Sequence, residues 1–108
     1  MLTIEEIKKA VVPICERYGV DKVCLFGSYA RGEADDKSDV DLMVDGGKLV
    51  GFEWGGFYAD VQEALGVKLD VLSRRGTRKK FLDKIAKDEV LLYASENTGD
   101  KLLPARAD

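Results

Sequence analysis

Two short runs hold the groups in this chain best suited to phosphate and metal chemistry: Gly27-Ser28-Tyr29-Ala30-Arg31-Gly32, and then Ser38-Asp39-Val40-Asp41-Leu42-Met43-Val44. If the second run is a strand, its side chains alternate. Asp39 and Asp41 then share one face about 6 to 7 Å apart, while Val40, Leu42 and Val44 share the other. Two carboxylates at that spacing repel by roughly 2 to 3 kcal/mol at an effective dielectric near 20, so a fold keeps them together only when something compensates. A divalent cation does so, and Mg²⁺ favours one or two carboxylates, water and substrate phosphates over a full protein cage. Gly27-Ser28 supplies the complement: backbone N–H groups, a hydroxyl and the positive end of a helical turn, all suited to phosphate oxygens. Arg31 either adds a charge-assisted contact to those oxygens or pairs with Glu33 or Asp35 at the surface. Asp70 interrupts the apolar run Val67-Lys68-Leu69-Asp70-Val71-Leu72, where a charge is costly unless paired or metal-bound. It is placed to hold a metal and to accept the proton of an attacking hydroxyl in the two-metal scheme of in-line displacement.

These residues need elements to carry them. Thr3 and Glu6 form a capping box, and Ile4, Ile7, Val11, Ile14 and Tyr18 then recur at helical spacing up to Gly19, which predicts a helix over 4–18. Pro13 inside it predicts a kink, or a split near residue 12. Val20 to Phe26 reads as a strand buried on both faces, Ser28 to Gly32 as a short helix, and Asp39 to Val44 as a second strand. Glycines 46, 47, 51, 55 and 56 each weaken a helix by ~1 kcal/mol relative to alanine, so a loop is expected to about residue 53, followed by a helix closed by Gly66. Val67 to Leu72 reads as a third strand, Thr77 as the cap of a helix carrying Phe81, Leu82 and Ile85, and Val90 to Tyr93 as a fourth, edge strand. The expected class is α/β (α+β), a small mixed sheet of three or four strands packed against helices. Residues 4–93 form the domain, and 94–108 read as a mobile tail.

The 108 residues suffice for one domain burying roughly two-thirds of its unfolded surface. The chain has no histidine, which excludes imidazole acid-base catalysis, Ser-His-Asp machinery and His-bearing zinc sites. A formal charge of -3 argues against long nucleic acid as a principal ligand. Cys15 and Cys24 read as reduced, half-buried thiols, and no apolar run approaches the ~18 residues of a membrane span, so a soluble cytoplasmic protein is expected. Tyr29, Phe26 and Trp54 read as packing. Arg74, Arg75, Arg78, Lys79 and Lys80 form a basic cluster that reads as a solvated loop and helix face. Its alternative is contact with nucleotide phosphates or an acidic partner surface.

Gly27-Ser28, ten intervening residues, Asp39-Val40-Asp41 and the later Asp70 resemble the signature of the minimal nucleotidyltransferases of the DNA polymerase beta superfamily. Arg31-Gly32 and Ser38 usually accompany that motif, and so short a chain looks most like the MNT antitoxins that pair with HEPN ribonuclease toxins. The resemblance implies a nucleotidyltransferase fold in which Asp39, Asp41 and Asp70 coordinate two Mg²⁺ ions. It implies that Gly27 and Ser28 hold the triphosphate of ATP, with Arg31 and Ser38 beside them. The implied reaction is transfer of AMP to a tyrosine hydroxyl of the cognate toxin, with release of pyrophosphate. Two alternatives stand beside it: a small hydroxylated acceptor, and a non-catalytic antitoxin that neutralises its partner by binding.

Overall fold

The computed structural model describes residues 1–95. Thr3 caps α1 (Ile4–Tyr18) as the sequence predicts. The Glu6 N–H donates to Thr3 Oγ1 at 3.1 Å and the Thr3 N–H donates to Glu6 Oε1 at 2.8 Å. Thr3→Ala is expected to lower stability by about 1 kcal/mol, read as a drop in urea midpoint at unchanged slope. The helix is not split at residue 12 but runs unbroken through Pro13. Pro13 and Lys9 both lie on the exposed side of α1, so the Lys9 carbonyl that loses its N–H donor is left to water.

The remaining elements are β1 (Lys22–Phe26), α2 (Gly27–Arg31), β2 (Val40–Asp45), α3 (Glu53–Leu65), β3 (Leu69–Ser73), α4 (Lys79–Ala86) and β4 (Val90–Ala94). The four strands form one mixed sheet in the order β3-β2-β1-β4. Within it β1 runs antiparallel to both β2 and β4, and β2 runs parallel to β3 through the α3 crossover. The expected edge strand takes in Ala94, and the Ser95 N–H donates to Asp21 O at 2.8 Å. The tail expected from residue 94 lies, from residue 96 onward, outside the described residues.

On one face of the sheet, α1 brings Ile7, Val11, Ile14 and Cys15 and α3 brings Phe57, Val61 and Leu65 against Val23, Leu25, Val40, Leu42 and Val44. Helix α3 tolerates Gly56 because a β-carbon there would lie 2.9 Å from Tyr18 Oη, so α1 and α3 approach closely at that point. The opposite face departs from the sequence reading. It was expected to be anionic, yet Met43, two residues beyond Asp41, is fully buried beneath α4 with Phe26, Ile85, Leu72, Phe81 and Leu82. Nor does Thr77 cap α4. The helix starts after Arg78, which makes no side-chain cap, while Thr77 Oγ1 donates to Ser73 O at 2.7 Å and closes the turn that leaves β3.

Cys15 and Cys24 are buried and unpaired, and burial pushes the Cys15 thiol up to about 12. A thiol held protonated in this way is a packing group rather than a nucleophile. Among the described residues, no helix is long and apolar enough to cross a membrane.

Candidate active site

The site starts from strand register. Antiparallel pairing sets Phe26 of β1 opposite Asp41 of β2, and parallel pairing sets Asp41 opposite Asp70 of β3. Directly opposed side chains on one face stand about 5 Å apart at their β-carbons, so the two carboxylates are neighbours across the ladder. Gly27 follows Phe26 and completes the arrangement. Its φ of +76° is a left-handed conformation that favours glycine, and a β-carbon there would lie 2.1 Å from Asp41 Oδ2. The Asp41 carboxylate therefore rests directly against the backbone where β1 turns into α2.

Asp41 is half-buried, whereas Asp39, just ahead of β2, and Asp70 are exposed. For Asp70 this corrects the expectation of a charge made costly by its apolar neighbours. On the edge strand β3 Asp70 itself meets solvent while Leu72, on the same face, packs under α4, so what singles Asp70 out is its register with Asp41. Burial, followed by repulsion from Asp70 and then Asp39, pushes the Asp41 carboxyl up to about 6, with Arg31 opposing the rise. Arg31 Nε donates to Glu33 Oε1 at 3.0 Å, and that hydrogen bond is the main cause of its raised pKa. The pairing with Glu33 forms, yet the guanidinium still lies within electrostatic reach of Asp41.

Ser28 lies in the first turn of α2, which no side chain caps. Ser38 is turned to its own loop: its Oγ accepts from the Asp35 N–H at 2.8 Å and donates to Asp35 Oδ1 at 3.2 Å. It shapes the approach to β2, its hydroxyl engaged by Asp35 rather than by Asp39, Asp41 or Asp70. Tyr29 packs into the main core, and Phe26 meets Phe81 edge-on with ring centroids 5.9 Å apart. In the basic cluster, Arg74 Nη2 donates to Glu89 Oε2 at 2.5 Å, with both side chains largely buried, and Lys79 pairs with Asp83 at 3.6 Å. Arg74 thus ties the end of β3 to the turn before β4.

Among the described residues, no three carboxylates stand close enough to form a ready-made metal cage. The donors at hand are all hard carboxylate oxygens, with no imidazole or thiolate beside them, and two of them are in register. Such a set suits an ion that completes its shell with water and phosphate, as Mg²⁺ does. Among the described residues, one depression of about 540 Å³ is lined by Tyr29, Ser38, Gly66, Val67 and Lys68 among others, but by none of the three aspartates. The sequence reading also missed two contacts on the far side of β3. Tyr58 Oη donates to Leu69 O at 2.8 Å, and Gln62 Nε2 donates to Val67 O. No local motif flags them, because they join a helix to a strand that lies beyond its own end.

The sequence and the fold both match known proteins. The family described as polymerase beta, nucleotidyltransferase matches residues 9–98. A Methanocaldococcus jannaschii chain named as a protein adenylyltransferase is 33% identical over 95 residues, spanning 82% of this chain and 97% of that one. A solved structure described as a minimal nucleotidyltransferase superposes with a TM-score of 0.72 at 29% identity, covering 82% of this chain and 95% of that one. A chain from the structure of a tri-AMPylated Shewanella oneidensis HEPN toxin in complex with MNT antitoxin matches with a TM-score of 0.66. At 14% identity, over 96% of this chain and 82% of that one, that likeness is one of fold. A family match across most of the sequence and a relative aligned along nearly its whole length leave one assignment: this chain belongs to the polymerase beta nucleotidyltransferase family, as one of its minimal nucleotidyltransferases.

Proposed function

We propose that this nucleotidyltransferase transfers AMP from ATP to a tyrosine hydroxyl of a cognate HEPN ribonuclease toxin in the cytoplasm and so acts as its antitoxin. The observation that carries the reading is the register of Asp41 with Asp70 against a glycine that leaves no β-carbon between carboxylate and backbone. The adenylyltransferase name of the Methanocaldococcus jannaschii relative and the fold shared with a chain of the AMPylated HEPN–MNT complex support the acceptor class.

Asp39, Asp41 and Asp70 would hold two Mg²⁺ ions, which when bound neutralise triphosphate charge and make the acceptor hydroxyl more acidic. Gly27 and Ser28 offer N–H groups and a hydroxyl to the phosphate oxygens, and the missing β-carbon at Gly27 lets the Asp41 carboxylate lie against the same stretch of backbone. Arg31 exchanges Glu33 for a phosphate oxygen, and Ser38 keeps the loop into β2 ordered. Asp70, exposed at the edge of the sheet, takes the proton of the tyrosine hydroxyl. A bond forms from that oxygen to the α-phosphorus as the bond to the bridging oxygen breaks, and pyrophosphate leaves.

Incubation with the co-encoded partner and ATP labelled separately at the α and γ phosphates tests the reading. Label entering a partner tyrosine from the α position alone is the expected result, and label from the γ position overturns it. A protein that neutralises its partner with no label transferred is instead an antitoxin by binding.

A further inference from the structure

We infer that Tyr58 and Gln62 are positioning residues that hold the edge strand β3 so that Asp70 stays in register with Asp41, a role that rests on the site proposed above. Successive carbonyls along the strand point to opposite sides. Lys68 O points inward and accepts the Val40 N–H at 2.8 Å, so Val67 O and Leu69 O point outward, away from β2. Among the described residues no strand lies on that side, and on an ordinary sheet edge water would satisfy both carbonyls. Here each is taken by a side chain of α3, Leu69 O by Tyr58 and Val67 O by Gln62, in part-buried hydrogen bonds.

The spacing makes the two contacts a matched pair. Four residues of helix advance about 6 Å, and two residues of strand advance about 6.5 Å. Positions 58 and 62 on α3 therefore line up with the alternate carbonyls 69 and 67 on a strand running the opposite way. Gln62 is anchored at its other end as well, since its own carbonyl accepts the Gly66 N–H at 2.9 Å where α3 stops. The two grips bear on the backbone immediately before Asp70, and the Asp70 side chain itself is exposed. Pairing with β2 on the inner side and this clamp on the outer side together fix where that carboxylate stands.

The test uses the intact chain carrying Tyr58→Phe, which removes only the hydroxyl, and Gln62→Met, which keeps length and loses the donor. Amide hydrogen exchange across residues 69–73 should quicken about fivefold in each, the change made by losing one hydrogen bond of ordinary strength, with the β1 amides unmoved. Binding of Mn²⁺ alone, followed by electron paramagnetic resonance without nucleotide, should weaken by about threefold to fivefold. In the transfer assay, kcat should fall by about fivefold while the KM for ATP stays within about twofold, and Tyr58→Phe should add nothing in an Asp70→Asn background. Unchanged exchange at 69–73 overturns the clamp. Faster exchange with Mn²⁺ affinity and kcat both intact overturns the positioning role, as does an additive double variant. Faster exchange with weakened Mn²⁺ binding, in a protein that transfers no AMP, supports the clamp while the proposed reaction falls.

Discussion

Asp41→Asn is expected to cut AMP transfer by on the order of 10³-fold while making the metal-free protein more stable at neutral pH. Both effects come from one environment. Asp41 is half-buried with Asp70 opposite it and Asp39 nearby, and its carboxyl is pushed from 3.8 up to about 6. The folded state therefore binds this proton more tightly than the unfolded chain does. The resulting stability is fully present below about pH 4 and is lost as pH rises through 6. Two pKa units correspond to about 3 kcal/mol at face value, and solvent screening at a half-buried site brings this to roughly 1 to 2 kcal/mol. Asparagine carries no charge at any of these pH values, so urea denaturation in EDTA should show the variant and parent converging near pH 4 and separating above pH 6 in favour of the variant. Added Mg²⁺ should restore stability to the parent alone. If the two stability curves run parallel from pH 4 to 7.5, the electrostatic account of the site is wrong.

Gly27→Ala should be the most damaging single methyl group in the chain. An alanine at a φ of +76° costs about 1 to 2 kcal/mol in backbone strain alone. Its β-carbon would also lie 2.1 Å from Asp41 Oδ2, so the carboxylate must move. The expected loss is about 2 to 3 kcal/mol of stability and on the order of 10²-fold in transfer, the penalty for displacing a reacting group by about an ångström. A double-mutant cycle separates the two parts. Asp41→Ala removes the obstruction, so Gly27→Ala in that background should cost only the strain, with a coupling of about 1 kcal/mol or more. Full additivity would mean that Asp41 does not rest against Gly27.

How much of this was legible in the sequence depends on the range of the interaction. Alternation is local, so the shared face of Asp39 and Asp41, the strand-to-turn position of Gly27-Ser28 and the capping box at Thr3 could all be read from neighbours along the chain. Register is not local. That Asp41 opposes Asp70 on one side and Phe26 on the other follows from pairing among separate strands, and no pattern within any one of them encodes it. For the same reason the sequence reading failed at Met43. Its alternation places it with the aspartates, but α4, far along the chain, packs on that half of the face and turns it into core. Thr77 and Arg74 show the same limit on a smaller scale. A threonine two residues before a helix and an arginine in a basic run each suit their local roles, until Ser73 O and Glu89 come within reach in the folded chain.

The outward carbonyls of β3 also govern how this sheet can grow. With Val67 O and Leu69 O already engaged by α3, a foreign extended peptide finds two outward carbonyls at the start of that flank already taken. The opposite flank differs. Among the described residues no strand pairs with the outer side of β4, where Leu91 stands 53% exposed. Occupation of those two carbonyls biases an added strand, whether from orderly docking or as the first step of aggregation, away from the margin that carries Asp70.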